Sequence, residues 1–240
     1  MSSSQTWVTS TPDDYEVVER WCIEHEHLPI ELPFGSKDHN GESKGLSGDL
    51  NGFRSFDREP DSKGLRREFL SRLFRPDDGL IDLRGICKGE TPRQEFVEAD
   101  DFDGVEDFIE RYADRDLYFG VAARRDSSSG DLTNLSCCRA LHCDVDFKDT
   151  PEAIARERLE AFVPASIVVH SGNGLHVYWI VDPVDLQTDA DDVRRKLKGI
   201  AEALGGDPKS AEPARVLRLP ATFNYKYVPP REVLLEDVSA

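Results

Sequence analysis

A chain of 240 residues is long enough for one domain with a real core, or for two small modules sharing a cleft, so one site is expected rather than several. Its formal net charge is -17, and only nine of its 30 basic residues are Lys; that balance excludes a long-range positive field, though not a site that holds phosphate through metals and hydrogen bonds. No apolar run approaches the roughly 18–20 residues that cross a bilayer and the polar N-terminus has no signal-peptide core, which excludes a membrane partner and predicts a cytoplasmic protein.

Acidic pairs such as Asp13-Asp14, Asp77-Asp78, Asp100-Asp101 and Asp191-Asp192 are spread along the chain as a solvated coat. A coat this poor in Lys is similar to that of proteins from a very salty, halophilic cytoplasm. There, phosphate contacts weaken as salt rises, so an acidic total does not exclude a polynucleotide substrate. The five cysteines, Cys22, Cys87, Cys137, Cys138 and Cys143, are odd in number and lack a disulfide framework, which fits a reducing compartment. Cys137, Cys138, His142 and Cys143 could be imagined around zinc. Neighbours on a strand point to opposite faces, so buried thiols are the expectation.

In chain order, residues 1–64 read as a polar, loop-rich leader that carries at most a helix around Tyr15 to Ile23. A helix over 65–74, a hairpin-like pair over 80–86 and 94–97, a helix over 105–112 and a strand over 117–122 make an N-terminal α/β module, 65–135. Arg124 and Arg125 follow that strand and read as exposed arginines, with a template contact as the alternative. In the second module, 136–240, residues 140–147 alternate apolar and polar and form a strand with His142, Asp144 and Asp146 on one face. Thr150-Pro151 starts a helix whose stripe is Ala155, Leu159 and Phe162, and Pro164 closes it. Strands over 166–170 and 175–181 flank Ser171-Gly172-Asn173-Gly174, the composition of a tight turn. A helix from Thr188 buries Val193, Leu197, Ile200 and Leu204 and stops at Gly205-Gly206. A last strand spans 232–238. The fold class is therefore α+β, with an RRM-like (ferredoxin-like) β-α-β-β-α-β half packed on the N-terminal module and one sheet face free for a site.

Three features could carry chemistry. Asp144 and Asp146, two apart on a strand, offer hard oxygen ligands to Mg²⁺ or Mn²⁺. A chance Asp-x-Asp on a solvated face is the bland alternative, but Leu141, Cys143, Val145 and Phe147 make this a core strand, where unpaired carboxylates are costly. The turn at Ser171, Gly172 and Gly174, followed by His176, can bring backbone N–H groups to a phosphate; an ordinary glycine-rich hairpin is the alternative. The stretch 208–231 sets Lys209, Arg215, Arg218, Lys226 and Arg231 against Glu212 alone, a local reversal of sign. Asp207 just precedes it at a helix end, where a carboxylate needs a compensating cation.

LHCDVDF, VVHSGNGLHVYW, and GGD followed by ARVLRLPATFNYK together resemble the three signature blocks of the archaeo-eukaryotic primase superfamily, and most of all the replication primase-polymerases of plasmids and viruses. The resemblance covers residues 141–226 and implies one primase-polymerase domain over 65–240. It implies metal-binding, catalytic aspartates at Asp144, Asp146 and Asp207 holding two divalent ions. Ser171, Gly172, Gly174 and His176 would hold the incoming dNTP or NTP, together with Arg215 and Lys226; Arg218 and Asn224 fall in the same block. Gly174 stands where relatives with a shorter Ser-x-His have serine, and Ala221 where the family often has Gly. The partners implied are a single-stranded DNA template and a separate replicative helicase. Two rivals remain: a glycosyltransferase using the Asp-x-Asp pair, which leaves the basic stretch unused, and a catalytically silent RRM-like replication initiator, which should display aromatics where this sheet carries carboxylates.

Overall fold

The computed structural model describes residues 61–238. The leader's helix and Cys22 lie outside the described residues. Within them the chain runs α1 (Ser62–Leu73), β1 (Leu80–Ile86), β2 (Arg93–Glu98), α2 (Phe102–Arg111), β3 (Asp116–Gly120), β4 (Cys137–Asp146), α3 (Glu152–Glu160), β5 (Ile167–His170), β6 (Gly174–Asp185), α4 (Ala190–Leu204), β7 (Val216–Arg218), β8 (Thr222–Asn224) and β9 (Arg231–Val238). None of these helices is long and apolar enough to cross a membrane.

Local chemistry accounts for the helix ends. Asp61 and Asp101 cap α1 and α2 by accepting from the N–H groups of Gly64 and Gly104. α4 buries Val193, Leu197, Ile200 and Leu204 along one stripe and ends at Gly205, whose φ of 81° is the left-handed conformation that stops a helix. Thr150 does not cap α3 with its side chain. Its hydroxyl donates instead to the Gly205 carbonyl at 2.7 Å, tying the start of α3 to the end of α4.

The strands form two antiparallel sheets, in the orders β2-β1-β3-β7 and β4-β6-β5-β9-β8. Side chains alternate across the second sheet. Leu141, Cys143, Val145, Leu175, Val177 and Trp179 pack with α4 on one face. Ala140, Ile167, Val169 and Tyr178 on the other face join a second core with Phe69, Leu70, Leu83, Phe108 and Phe119. The face expected to be free is therefore largely covered, and what it leaves for a site is the end that carries Asp144 and His176.

The β-α-β-β-α order from β4 to α4 is as expected, but the closing strand is not. A ferredoxin-like sheet would set the last strand beside the first, whereas β9 pairs with β5. After α4 the chain crosses to the first sheet, adds β7 against β3, and returns as β8 and β9 at the far edge of the second. Arg124 also differs from expectation. It is fully buried, and its guanidinium lies 3.3 Å from Asp82, itself buried. Only Arg125 is exposed, and it donates to the Thr133 carbonyl.

Candidate active site

β4 and β6 pair so that Asp144 faces His176 and Asp146 faces Gly174. The His176 Nε2 lies 3.6 Å from an Asp144 carboxylate oxygen. A side chain at position 174 would strike the Val145 carbonyl, its Cβ coming to 2.3 Å, so only glycine lets the two strands close here. The turn before it is held by the Ser171 N–H donating to the Gly174 carbonyl at 2.9 Å, with Gly172 at φ 90°.

The basic stretch reaches this place by two routes. Arg215, just before β7, donates from its guanidinium to the other Asp144 oxygen at 3.0 Å. Asn224, on β8, donates from Nδ2 to the Ser171 carbonyl at 2.9 Å and accepts from the Lys226 N–H at 3.1 Å, so it fastens the turn to the loop that carries exposed Lys226. Arg218 is turned to a different use. Buried, it pairs with Asp116 at 2.6 Å and lies 4.8 Å over the Tyr118 ring.

Asp207 follows the glycines that end α4. It is exposed, and its side chain accepts from the Lys209 N–H at 2.9 Å. Among the described residues no three His, Cys, Asp or Glu side chains come together as a set that could hold a metal ion. The preceding Gly206 nevertheless rests on β4, since a Cβ there would meet the Asp144 carbonyl oxygen at 2.8 Å and the Cys143 sulfur at 2.9 Å. Asp207 thus hangs from a turn seated on Asp144's own backbone.

Burial dominates the electrostatics. His176 is pushed down to about 4 by desolvation, which Asp144 opposes and the Arg218 and Arg215 charges reinforce. His142, on the same strand face, falls to about 3 for the same first reason, with Arg215 adding to it. Both imidazoles are therefore neutral at pH 7. Burial alone would raise the Asp146 carboxyl, but the backbone N–H and ammonium of Lys148 and the Asn173 amide outweigh it and hold it below the usual range. His142 Nε2, His176 Nδ1, Tyr178 Oη and Arg215 Nε are buried and make no hydrogen bond.

Two residues of the site were not singled out in the sequence. Asn173 donates from Nδ2 to Asp146 at 3.3 Å, and Arg231 donates to the Gly172 carbonyl at 2.8 Å and to Asn173 Oδ1 at 2.9 Å. Their signals were faint: a polar residue inside the turn, and the last member of the basic stretch. A divalent ion fits the donor chemistry at Asp144 and Asp146, because Mg²⁺ is commonly bound by one or two carboxylates, with water and substrate phosphate oxygens completing its shell.

No protein-family model and no curated protein matches the chain. Solved structures do. The archaeo-eukaryotic primase domain of a primase-polymerase from cyanophage S-2L shares 16% identity over 72% of this chain and 88% of its own, at a TM-score of 0.50. Primase RepB' is similar at 15% identity, 74% of this chain and TM-score 0.54, the match spanning just over half, 56%, of that chain. The RepB' catalytic domain, solved in complex with initiator DNA, gives 17%, 74% of this chain, 83% of its own and 0.50. The two sheets and four helices described here thus have the fold of the archaeo-eukaryotic primase domain.

Proposed function

We propose that the protein is a template-directed nucleotidyltransferase, a DNA primase or primase-polymerase that joins nucleotides from dNTPs or NTPs along a single-stranded DNA template. The observation that carries this reading is Asp144, on a primase-type fold, placed between Arg215 at 3.0 Å and the neutral, buried His176 at 3.6 Å. One acid beside a cation and a neutral donor suits the transfer of a phosphoryl group better than sugar binding.

The reaction is attack of a 3'-hydroxyl on the α-phosphorus with pyrophosphate leaving. Asp144 and Asp146 would hold divalent ions, Mg²⁺ or Mn²⁺, which in a two-ion scheme stabilise the attacking and leaving oxygens. Asp207 is the third candidate donor; it takes part if its turn brings it towards Asp144 when substrate binds. Arg215 and Lys226 supply positive charge to the triphosphate, and neutral His176 supplies a hydrogen bond without a competing charge. Ser171, Gly172 and Gly174 shape the turn against which the phosphates lie, and Asn224 holds that turn. Arg218 serves by keeping β3 and β7 together rather than by touching nucleotide. Residues 65–240 act as one domain.

The test is incubation of the full chain with a single-stranded template, labelled dNTPs or NTPs and Mn²⁺, at low and high KCl. Templated polymer is expected, best retained at high KCl if the acidic coat is a halophilic one. Asp144→Ala and Asp146→Ala should abolish it with the melting temperature preserved. Wild-type-like incorporation by either variant rejects the assignment, and DNA binding by wild type without any polymer identifies a silent initiator.

A further inference from the structure

The turn between β5 and β6 is wired to the second aspartate through side chains that play no part in holding β5 and β6 together. Arg231 lies 3.9 Å over the ring of Tyr227. From that seat one of its nitrogens donates both to the Gly172 carbonyl, at 2.8 Å, and to Asn173 Oδ1, at 2.9 Å. A guanidinium can only donate, so the oxygen of the Asn173 amide must face it, and the NH₂ group must face the other way. What lies the other way is a carboxylate: Asn173 Nδ2 stands 3.3 Å from Asp146 Oδ1. The same oxygen accepts from the Lys148 backbone N–H at 3.0 Å. Among the described residues the second oxygen, Oδ2, meets only the Lys148 ammonium, at 3.1 Å, on a side chain that is 70% exposed.

We propose that Arg231 and Asn173 are positioning residues for Asp146: Arg231 fixes the Asn173 amide, the amide and the Lys148 backbone pin one carboxylate oxygen, and the other oxygen is left for a divalent cation that displaces Lys148. This rests on the nucleotidyltransferase reading for its purpose, but not for its geometry. The two oxygens have different work. Oδ1 is spent on orientation, held by one rigid backbone donor and one amide whose own direction is dictated from behind. Oδ2 is guarded by a single solvated cation, which a divalent ion of higher charge replaces at small cost. The Asn173 carbonyl accepts from the Phe147 N–H at 3.0 Å, so the residue is fastened to the end of β4 by its backbone and to Asp146 by its side chain. An outer-shell partner of this kind is worth about 10–100-fold in metal affinity.

Two measurements on the full chain test this. In the first, Mn²⁺ binding is followed by calorimetry without nucleotide. Asn173→Ala and Arg231→Met should each raise the dissociation constant by about tenfold or more, with little change in melting temperature. Lys148→Met should lower it, because the competing cation is gone. Arg231→Lys, which keeps the charge but loses the planar group seated on the Tyr227 ring, should fall between wild type and Arg231→Met. Unchanged affinity in Asn173→Ala overturns the proposal. The second measurement needs no metal: in amide NMR spectra, Asp146→Asn and Arg231→Met should each move the Asn173 side-chain NH₂ resonances. If wild type binds no Mn²⁺ and makes no polymer, the functional reading falls. The relay is then judged by the NMR alone, and Asn173 resonances unmoved by both substitutions overturn it.

Discussion

Replacing Arg215 with Met separates a catalytic cation from a structural one. Arg215 and Asp144 form a half-exposed pair, 37% and 27% accessible, and pairs in such solvent contact contribute about 0.2–1 kcal/mol. In a domain of this size about 1 kcal/mol moves the melting temperature by about 2–4 °C, so the fold should barely register the change. Catalysis should register it strongly. Removing a preorganised group aimed at developing phosphoryl charge costs about 10²–10³ in rate, or about 3–4 kcal/mol. The assay is single-nucleotide extension of a primed template with Mn²⁺, with kcat and KM determined separately alongside a thermal melt. A loss concentrated in kcat, with a drop of a few degrees at most, is expected. Incorporation within about threefold of wild type would refute the idea that this cation meets the reacting group, as would a melt so depressed that the fold itself depends on it.

Other consequences are open to direct measurement. Gly206→Ala pushes a methyl group into the Asp144 carbonyl and the Cys143 sulfur; overpacking of this kind costs about 1–3 kcal/mol, and a variant that melts like wild type would show the turn is not seated on β4. Arg218→Met takes the paired cation from the nearly buried Asp116, leaving it the Tyr225 N–H at 2.8 Å, for a loss of about 3 kcal/mol in chemical denaturation with nucleotide KM unchanged in the folded fraction; a raised KM at full stability would return Arg218 to the nucleotide. For Asp78, burial pushes the carboxyl up, but the Arg139 fork at 2.7 and 2.9 Å and the Arg75 N–H more than offset this and hold it below its ordinary 3.8. Because the folded value is the lower one, the stability it brings is present above the ordinary value and is lost as pH falls through the folded value. Asp78→Asn should therefore melt well below wild type at pH 7 and converge with it in acid; a constant gap between the two curves would contradict this.

What the sequence revealed followed the range of the interactions involved. β1, β4 and β6 were legible because alternation is a local property, and α4 because its stripe and its Gly205 stop lie within one segment. β7 and β8 have three residues each, too few to show a period, and exist because Tyr118 and Val233 lie across from them. The same distinction divides the site. Asp144 beside His176 was legible as two polar residues on neighbouring, strongly alternating strands, although α3 and β5 intervene between β4 and β6. That Arg218 is taken by Asp116, 102 residues away, was not. Arg124 was read as exposed because nothing near it in sequence announces Asp82, and the position of β9 was misjudged because a crossing between sheets leaves no local mark.

That crossing has a bearing on how the chain reaches its native state. The first three strands of the first sheet leave the ribosome well before residues 216–218, and until those arrive β3 carries an unpaired edge of the kind that invites association between chains. Closing it is among the longest-range events in the protein, the sort that makes folding slow. Synthesis of the second half is thus also a period of exposure for the first, and shortened polypeptides ending before Val216 should be recovered mainly as aggregates.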